Sequence, residues 1–461
     1  MMSQRAIVMA RFAIVSIALA SGVSAAEVVE PARVDALAAP LVEDGWAVGL
    51  AVGLISEQGT QIAGYGRTSE RNAGPPAGYT EFEIGSISKV FTGLILAEMV
   101  EDHVVQLTEP VQKLLGESMT VPKRGDREIT LVDLATHTSG LPRMPGNFSP
   151  KNLTNPYADY AVEQLATFVS QYKLPREPGE RSEYSNLGMG LLGHALALTA
   201  GMPYESLVRK RICQPLGMDD TCITLNKALQ ARLAEGHDYD GNPVANWDLP
   251  TLAGAGALRS TTADMLKFLA ANLTLTKTPL ESAIAASHVI HFQNSKGLND
   301  TALAWQVRRD NHIIWHNGQT GGYHSFAGFL PEKRVGVVVL CNSATMHVDT
   351  LGFRLLELLT TGEAKPLALP KAIKLDAETI EPLVGSYKLG PLATATVTRE
   401  SDQLLMQLSG QPKIKFYPES KTRFFCRAVE AAVTFEADED GSVKQLVLHQ
   451  NGRNLPAPRT Q

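Results

Sequence analysis

Two residues three positions apart could carry out acyl transfer: Ser86 and Lys89, in Gly85-Ser86-Ile87-Ser88-Lys89 at the head of an apolar-periodic run. If the run is a helix, this spacing places the lysine amine and the serine hydroxyl on one face. A serine hydroxyl is a poor nucleophile near neutral pH, and a neighbouring amine that accepts its proton activates it. Unpaired N–H groups at a helix start suit a developing oxyanion. The same two residues also describe an N-cap serine and a solvated lysine.

Two further stretches offer partners. Tyr184-Ser185-Asn186 follows the turn Pro178-Gly179 and precedes an apolar helix, so it sits at a loop-to-helix junction. Tyr184 can accept a proton if a nearby cation lowers its pKa, and Asn186 can both donate to and accept from an amide. A packing tyrosine and a capping asparagine fit as well. The run His316-Asn317-Gly318-Gln319-Thr320-Gly321-Gly322 places glycines beside a strand. There, backbone N–H groups can approach a ligand, or the chain simply turns. His137 stands near the end of a short helix that Thr130 is placed to cap, where a capping or packing role is favoured over catalysis. The loop 147–160 is polar and punctuated by proline, as the rim of a cleft would be. The chain has eleven histidines but no His-Glu-x-x-His and no Cys-x-x-Cys, so no metal or other cofactor is expected.

The elements that must position these groups divide the chain. Residues 1–25 read as a signal peptide, with Arg5 and Arg11 ahead of the apolar core 12–20 and Val23-Ser24-Ala25 as a cleavage pattern. A periplasmic or secreted protein follows, with no stable membrane anchor once the segment is removed. The formal net charge of -6 leaves no basic footprint for nucleic acid. Strands are expected at 47–55, 60–65, 303–308, 312–316 and around a hairpin at 331–333. Helices are expected at 86–101, 130–138, 203–216, up to about 273, and at 350–359. The economical arrangement is of the α/β (α+β) class: an antiparallel sheet assembled from both ends, flanked by helices, with an all-helical insertion, over residues 26–360. Residues 361–375 form a linker and 376–461 a small all-β module, sandwich or barrel, with five strands expected between 393 and 450. Cys213 and Cys222 flank a Pro-Leu-Gly turn and admit a local disulfide; Cys341 reads as a buried thiol.

Taken in order, Ser86-Ile87-Ser88-Lys89, Tyr184-Ser185-Asn186 and His316-Asn317-Gly318 resemble the motifs of the class C β-lactamase, D-alanyl-D-alanine carboxypeptidase and family VIII esterase group, with its penicillin-binding-protein-like fold. His137-Thr138-Ser139-Gly140-Leu141-Pro142, Pro215-Leu216-Gly217-Met218 and Ser260-Thr261-Thr262-Ala263-Asp264 extend the likeness over residues 34–359. Residues 383–452 are similar to a lipocalin-like β domain. The resemblance implies that Ser86 is acylated, Lys89 takes its proton, and Tyr184 passes protons and activates water. It further implies that Asn186 and the His316–Gly318 strand hold substrate while the N–H groups of Ser86 and Gln319 form the oxyanion hole. The substrate would be a β-lactam, a D-amino-acid peptide or a small ester. Penicillin-recognising members usually carry Lys-Thr-Gly where this chain has His316-Asn317-Gly318. A histidine is mostly neutral at pH 7 and offers less to a substrate carboxylate. Esterase activity, or slow acylation as a penicillin sensor, are the alternatives.

Overall fold

The computed structural model describes residues 28–460 apart from 118, 392 and 440, so the expected signal segment lies outside the described residues. Two compact units form: one from the described residues up to 39, 47–238 and 243–366, the other from 40–46, 239–242 and 367–461. Among the described residues, no helix is long and apolar enough to cross a membrane.

The first unit is built on an antiparallel sheet drawn from both ends of its sequence. The strands are β1 (Gly49–Ser56), β2 (Gly59–Gly66), β3 (Glu81–Glu83), β4 (Arg259–Thr261), β5 (Asn299–Thr301), β6 (Gln306–Arg308), β7 (Ile314–Gln319), β8 (His324–Leu330) and β9 (Val335–Cys341). The main sheet runs β2-β1-β9-β8-β7-β6-β5, and β3 pairs with β4 as a separate ribbon. Every residue of β1 and of β9 is buried, which requires cover on both faces. Helix Thr262–Asn272 covers one face: a Cβ at Gly336 would meet Leu269 and Leu273. On β8, Gly328 pairs with Val337, so it points to the opposite face, where Leu356 of helix His347–Thr361 lies.

Helix Ser88–Glu101 is buried on nearly all sides, only Glu98, Val100 and Glu101 falling outside its buried set. Its apolar residues pack in several directions, as the Phe91–Phe268 stack at 4.4 Å shows for one of them. Polar anchors fix its first turns: Ser88 Oγ accepts from Leu258 N at 3.0 Å, and Thr92 Oγ1 donates to Gly254 O at 2.8 Å. The short helix Leu131–Ala135 carries the expected cap, Thr130 donating its N–H to Asp133 Oδ2 at 2.8 Å. Helix Asn186–Ala200 starts with Ser185 Oγ accepting from Gly188 N. It meets the short helix Ala253–Gly256 backbone to backbone, because a Cβ at Gly193 would lie 2.9 Å from Gly254 Cα. The stretch Ala253-Gly254-Ala255-Gly256 is small so that this helix can wedge between the helices starting at Ser88 and Asn186.

The second unit contains an eight-stranded antiparallel meander: β10 (Gly385–Leu389), β11 (Ala393–Glu400), β12 (Gln403–Leu408), β13 (Ile414–Pro418), β14 (Arg423–Cys426), β15 (Ala431–Ala437), β16 (Val443–Gln450) and β17 (Arg453–Pro458). A bridge between Tyr387 and Arg459 brings the two ends together, giving a near-closed barrel around Tyr387, Phe416, Phe424 and Phe435. Three of these strands, β10, β14 and β17, go beyond the five expected. In β17, Pro456 and Pro458 lack the N–H that a ladder uses, so the sequence reads as non-strand. The disulfide admitted for Cys213 and Cys222 does not form: all four cysteines are buried free thiols.

The Gly193–Gly254 contact yields a direct test. Gly254→Val brings a Cβ within 2.9 Å of Met189 O and 3.0 Å of Gly193 Cα. It should destabilise the protein by about 2–4 kcal/mol, read as a lower urea midpoint at unchanged m-value; an unchanged midpoint would show that the helices can separate freely.

Candidate active site

Ser86 lies in a 3-10 turn, Gly85–Ile87, immediately ahead of helix Ser88–Glu101. In 3-10 geometry residues i and i+3 eclipse, which brings Lys89 over Ser86 more directly than an α-turn would. Lys89 Nζ lies 2.8 Å from Ser86 Oγ and 2.6 Å from Ala255 O. The amine is fully buried. Burial, assisted by the Arg143 guanidinium, holds it well below the usual lysine range. Burial thus favours the neutral amine, whose lone pair can take a proton.

Tyr184 closes the other side. Its ring centroid is 4.7 Å from Lys89 Nζ. Burial pushes its hydroxyl up to about 12, while a hydrogen bond with Ser86 and the charge of Arg143 act in the opposite sense. The sequence-level idea of Tyr184 as an acceptor required a lowered pKa; the structure holds it as a neutral phenol, and Lys89 is the group with acceptor character.

His137 fixes the backbone on both sides of Tyr184. Its carbonyl accepts from Glu183 N at 2.8 Å, and its Nδ1 accepts from Ser185 N at 3.2 Å. The imidazole lies 4.5 Å from the Tyr184 ring, between centroids. This requires a left-handed backbone, φ +61°, at a residue that is not glycine, a strained conformation that the surrounding contacts hold. Because Nδ1 accepts, the proton of the neutral ring sits on Nε2, which is buried without a partner.

The strand end at β7 completes the group. A Cβ at Gly318 would lie 1.9 Å from Ile84 O, and one at Gly85 would lie 2.7 Å from Gln319 N. The two glycines therefore let the Gln319 backbone lie against the turn that carries Ser86, with Gly85 at φ +49°. Ser325 Oγ donates to Ile84 O at 2.8 Å and ties the same turn to β8. His316 is buried, 6.2 Å from Tyr184 between ring centroids. Burial, the largest cause, lowers it to about 3. Its Nδ1 lies 2.5 Å from the Asn317 carbonyl, which can only accept, so Nδ1 carries the proton and the buried Nε2 has no partner. Asp349 holds this strand from behind, accepting from Asn317 Nδ2 at 2.7 Å and lying 2.8 Å from His324 Nε2. Asn186 opens its helix beside Tyr184; its Oδ1 is buried without a partner, and its Nδ2 lies 3.7 Å from Met144 Sδ.

The structure thus gathers Ser86, Lys89, Tyr184, Asn186, His316, Gly318 and Gln319 around one turn. Sequence reasoning missed the Ala255 carbonyl, Arg143 and Asp349. A backbone acceptor has no side-chain signature, although the small-residue run at 253–257 was visible. The loop 147–160 contributes an aromatic wall: Tyr157 lies 5.0 Å from Phe148 and 5.3 Å from Trp247 between centroids. Among the described residues no cluster of histidine, cysteine or carboxylate could hold a metal ion.

A family model described as Beta-lactamase matches residues 34–360. The chain belongs to the beta-lactamase family. It is an enzyme of the serine-hydrolase type to which class C beta-lactamases and penicillin-binding proteins belong. Among relatives, a beta-lactamase of Pseudomonas fluorescens is 27% identical over 344 residues, 67% of this chain and 92% of that one. The D-alanyl-D-alanine-carboxypeptidase/endopeptidase AmpH of Escherichia coli K12 is 29% identical over 344 residues, 70% of this chain and 87% of that one. The crystal structure of a beta-lactamase/D-alanine carboxypeptidase from Yersinia pestis superposes with a TM-score of 0.63 at 26% identity, covering 71% of this chain and 97% of that one. Residues 369–457 match a second model, a domain of unknown function, DUF3471.

The buried histidines set an acid-stability limit. His316 is held neutral in the fold but protonates at about 6.5 when unfolded, so the unfolded state binds more protons between pH 6.5 and about 3. Stability therefore falls with pH in that window by up to about 1.4 kcal/mol per pH unit for this residue. Buried carboxylates such as Glu81, raised to about 9, act in the opposite sense, so the comparison must be with His316→Gln. Urea unfolding from pH 7 to 4 should show a shallower acid loss in the variant; parallel curves would mean that His316 is charged in the fold.

Proposed function

We propose that the protein is an exported serine hydrolase that works through an acyl-enzyme on Ser86, hydrolysing β-lactams or D-alanine-type peptides. The observation that carries this reading is the fully buried Lys89 amine 2.8 Å from Ser86 Oγ, where burial disfavours the charged form. The Ser86 hydroxyl gives its proton to the Lys89 lone pair as Oγ bonds to the substrate carbonyl carbon. The Ser86 and Gln319 N–H groups take the developing oxyanion, which Gly85 and Gly318 make room for. On collapse the carbonyl-to-leaving-group bond breaks, and the leaving group takes the phenolic proton of Tyr184. The proton held on Lys89 then returns directly to the Tyr184 phenolate, whose ring lies beside the amine. Water attacks the acyl carbonyl in the second half, releasing its proton to the same amine–phenol pair and freeing Ser86. Asn186 Oδ1, buried and unpaired, suits an amide N–H on the acyl portion of the substrate.

Hydrolysis of small esters is the second reading, and the neutral His316 favours it. A family member with lysine at this place presents a permanent charge to a substrate carboxylate, and an ester does not need one.

Nitrocefin and p-nitrophenyl butyrate turnover, with intact mass after rapid quenching, tests both readings. Wild type should show an acyl adduct that Ser86→Ala lacks, with turnover lost by about 10⁴-fold or more in Ser86→Ala and about 10²–10⁴-fold in Lys89→Met. Turnover retained in Ser86→Ala would contradict the mechanism.

A further inference from the structure

Arg143 stands where the cleft otherwise lacks a charge. Its carbonyl accepts the N–H groups of Asn186 at 3.0 Å and Leu187 at 3.2 Å, which pins its backbone to the first turn of the helix that begins at Asn186. Its guanidinium carbon is 5.1 Å from the Tyr184 ring centroid. The side chain is exposed, and among the described residues no carboxylate pairs with it. The acid beside Tyr184, Glu183, is engaged by Arg176 and Arg181. Burial disfavours the charged forms of the other basic groups of the site, Lys89, His137 and His316. The guanidinium is thus a standing cation at the site, free to form a bidentate pair.

Its neighbours indicate which part of a substrate it would meet. Asn186 Oδ1 is a buried acceptor without a partner, and Asn186 Nδ2 reaches the Sδ of Met144, the residue after Arg143. Beyond Met144 lies Tyr157, its hydroxyl 3.7 Å from the same sulfur, and then Trp247. Arg143 therefore lies beside Asn186, with its charge near Tyr157 and Tyr184. If Asn186 grips the acyl amide, as the proposed function has it, Arg143 faces the acyl portion and not the leaving group.

We propose that Arg143 is an anion anchor for the acyl side of the substrate, so that the site selects acyl donors carrying a carboxylate beyond the amide that Asn186 holds. This inference rests on the acyl-enzyme reading for its orientation, but its affinity consequence can be read without turnover.

Benzylpenicillin and carbenicillin share one ring system and differ by a carboxylate on the acyl side chain. Their dissociation constants, measured by calorimetry on Ser86→Ala so that neither is consumed, give a ratio. Carbenicillin should bind about tenfold tighter, and adding Arg143→Gln should abolish the preference. Equal affinities, absence of binding by either, or a preference that survives Arg143→Gln would overturn the proposal. If the guanidinium served only to tune Tyr184, Arg143→Gln would alter turnover of both compounds by the same factor and leave the ratio near one. Failure of the wild type to form an adduct with either would count against the hydrolase reading, while the affinity ratio would still decide this one.

Discussion

Everything around Ser86 depends on keeping the Lys89 amine out of water. A charged ammonium in this position would cost several kcal/mol of desolvation, and the surroundings offer no carboxylate to offset it. They offer the Ser86 hydroxyl and the Ala255 carbonyl, both within hydrogen-bond reach of Nζ and neither charged. That restriction explains why helix Ser88–Glu101 is apolar on almost every side. A helix with a wet face would hydrate the amine near its start and restore an ordinary pKa. It also explains the glycines: the backbone of 253–256 must approach closely enough for a carbonyl, and no side chain, to meet Nζ.

The same dryness distributes charge across the cleft. His137 and His316 flank Tyr184 as neutral rings in opposite tautomers, one with its proton on Nε2 and the other on Nδ1. Tyr184 stays a phenol between them. Fixed dipoles therefore surround Ser86, and the standing cation is displaced to the rim at Arg143. Where relatives use a lysine on the strand, this chain has a histidine that burial keeps uncharged, and the position of a substrate's anionic group should shift accordingly. Rigidity comes from behind the strand, where Asp349 holds Asn317 and His324, and from His137, whose backbone strain is held by the Glu183 and Ser185 contacts.

Much of this was legible in the sequence where side-chain pattern and local rule coincide. The apolar runs of β1 and β9, separated by nearly three hundred residues, announced a sheet closed from both ends. Thr130 marked its helix start, where its N–H and hydroxyl both donate to Asp133 Oδ2. The spacing of Ser86 and Lys89 was visible, but the burial that gives it chemical meaning was not, since no local pattern reports what packs from residues 186–200 and 253–258. Ala255 contributes only its backbone, and Arg143 resembles any surface arginine until its distance to Tyr184 is known. Cys213 and Cys222 invited a disulfide on spacing alone, yet remain buried thiols. The prolines of β17 hid a strand whose partner, β16, supplies the pairing that propensity withholds.

The ionisation of Lys89 is the quantity on which the account stands or falls. Lysine labelled with 13C at Cε, followed by NMR across pH and assigned by the signal missing in Lys89→Met, measures it directly in the folded enzyme. One lysine signal should titrate well below 10.5 and be absent from the variant. A Lys89 signal that titrates at 10.5 or above would mean that the residue is an ammonium in the resting site, and Ser86 would then lack its base.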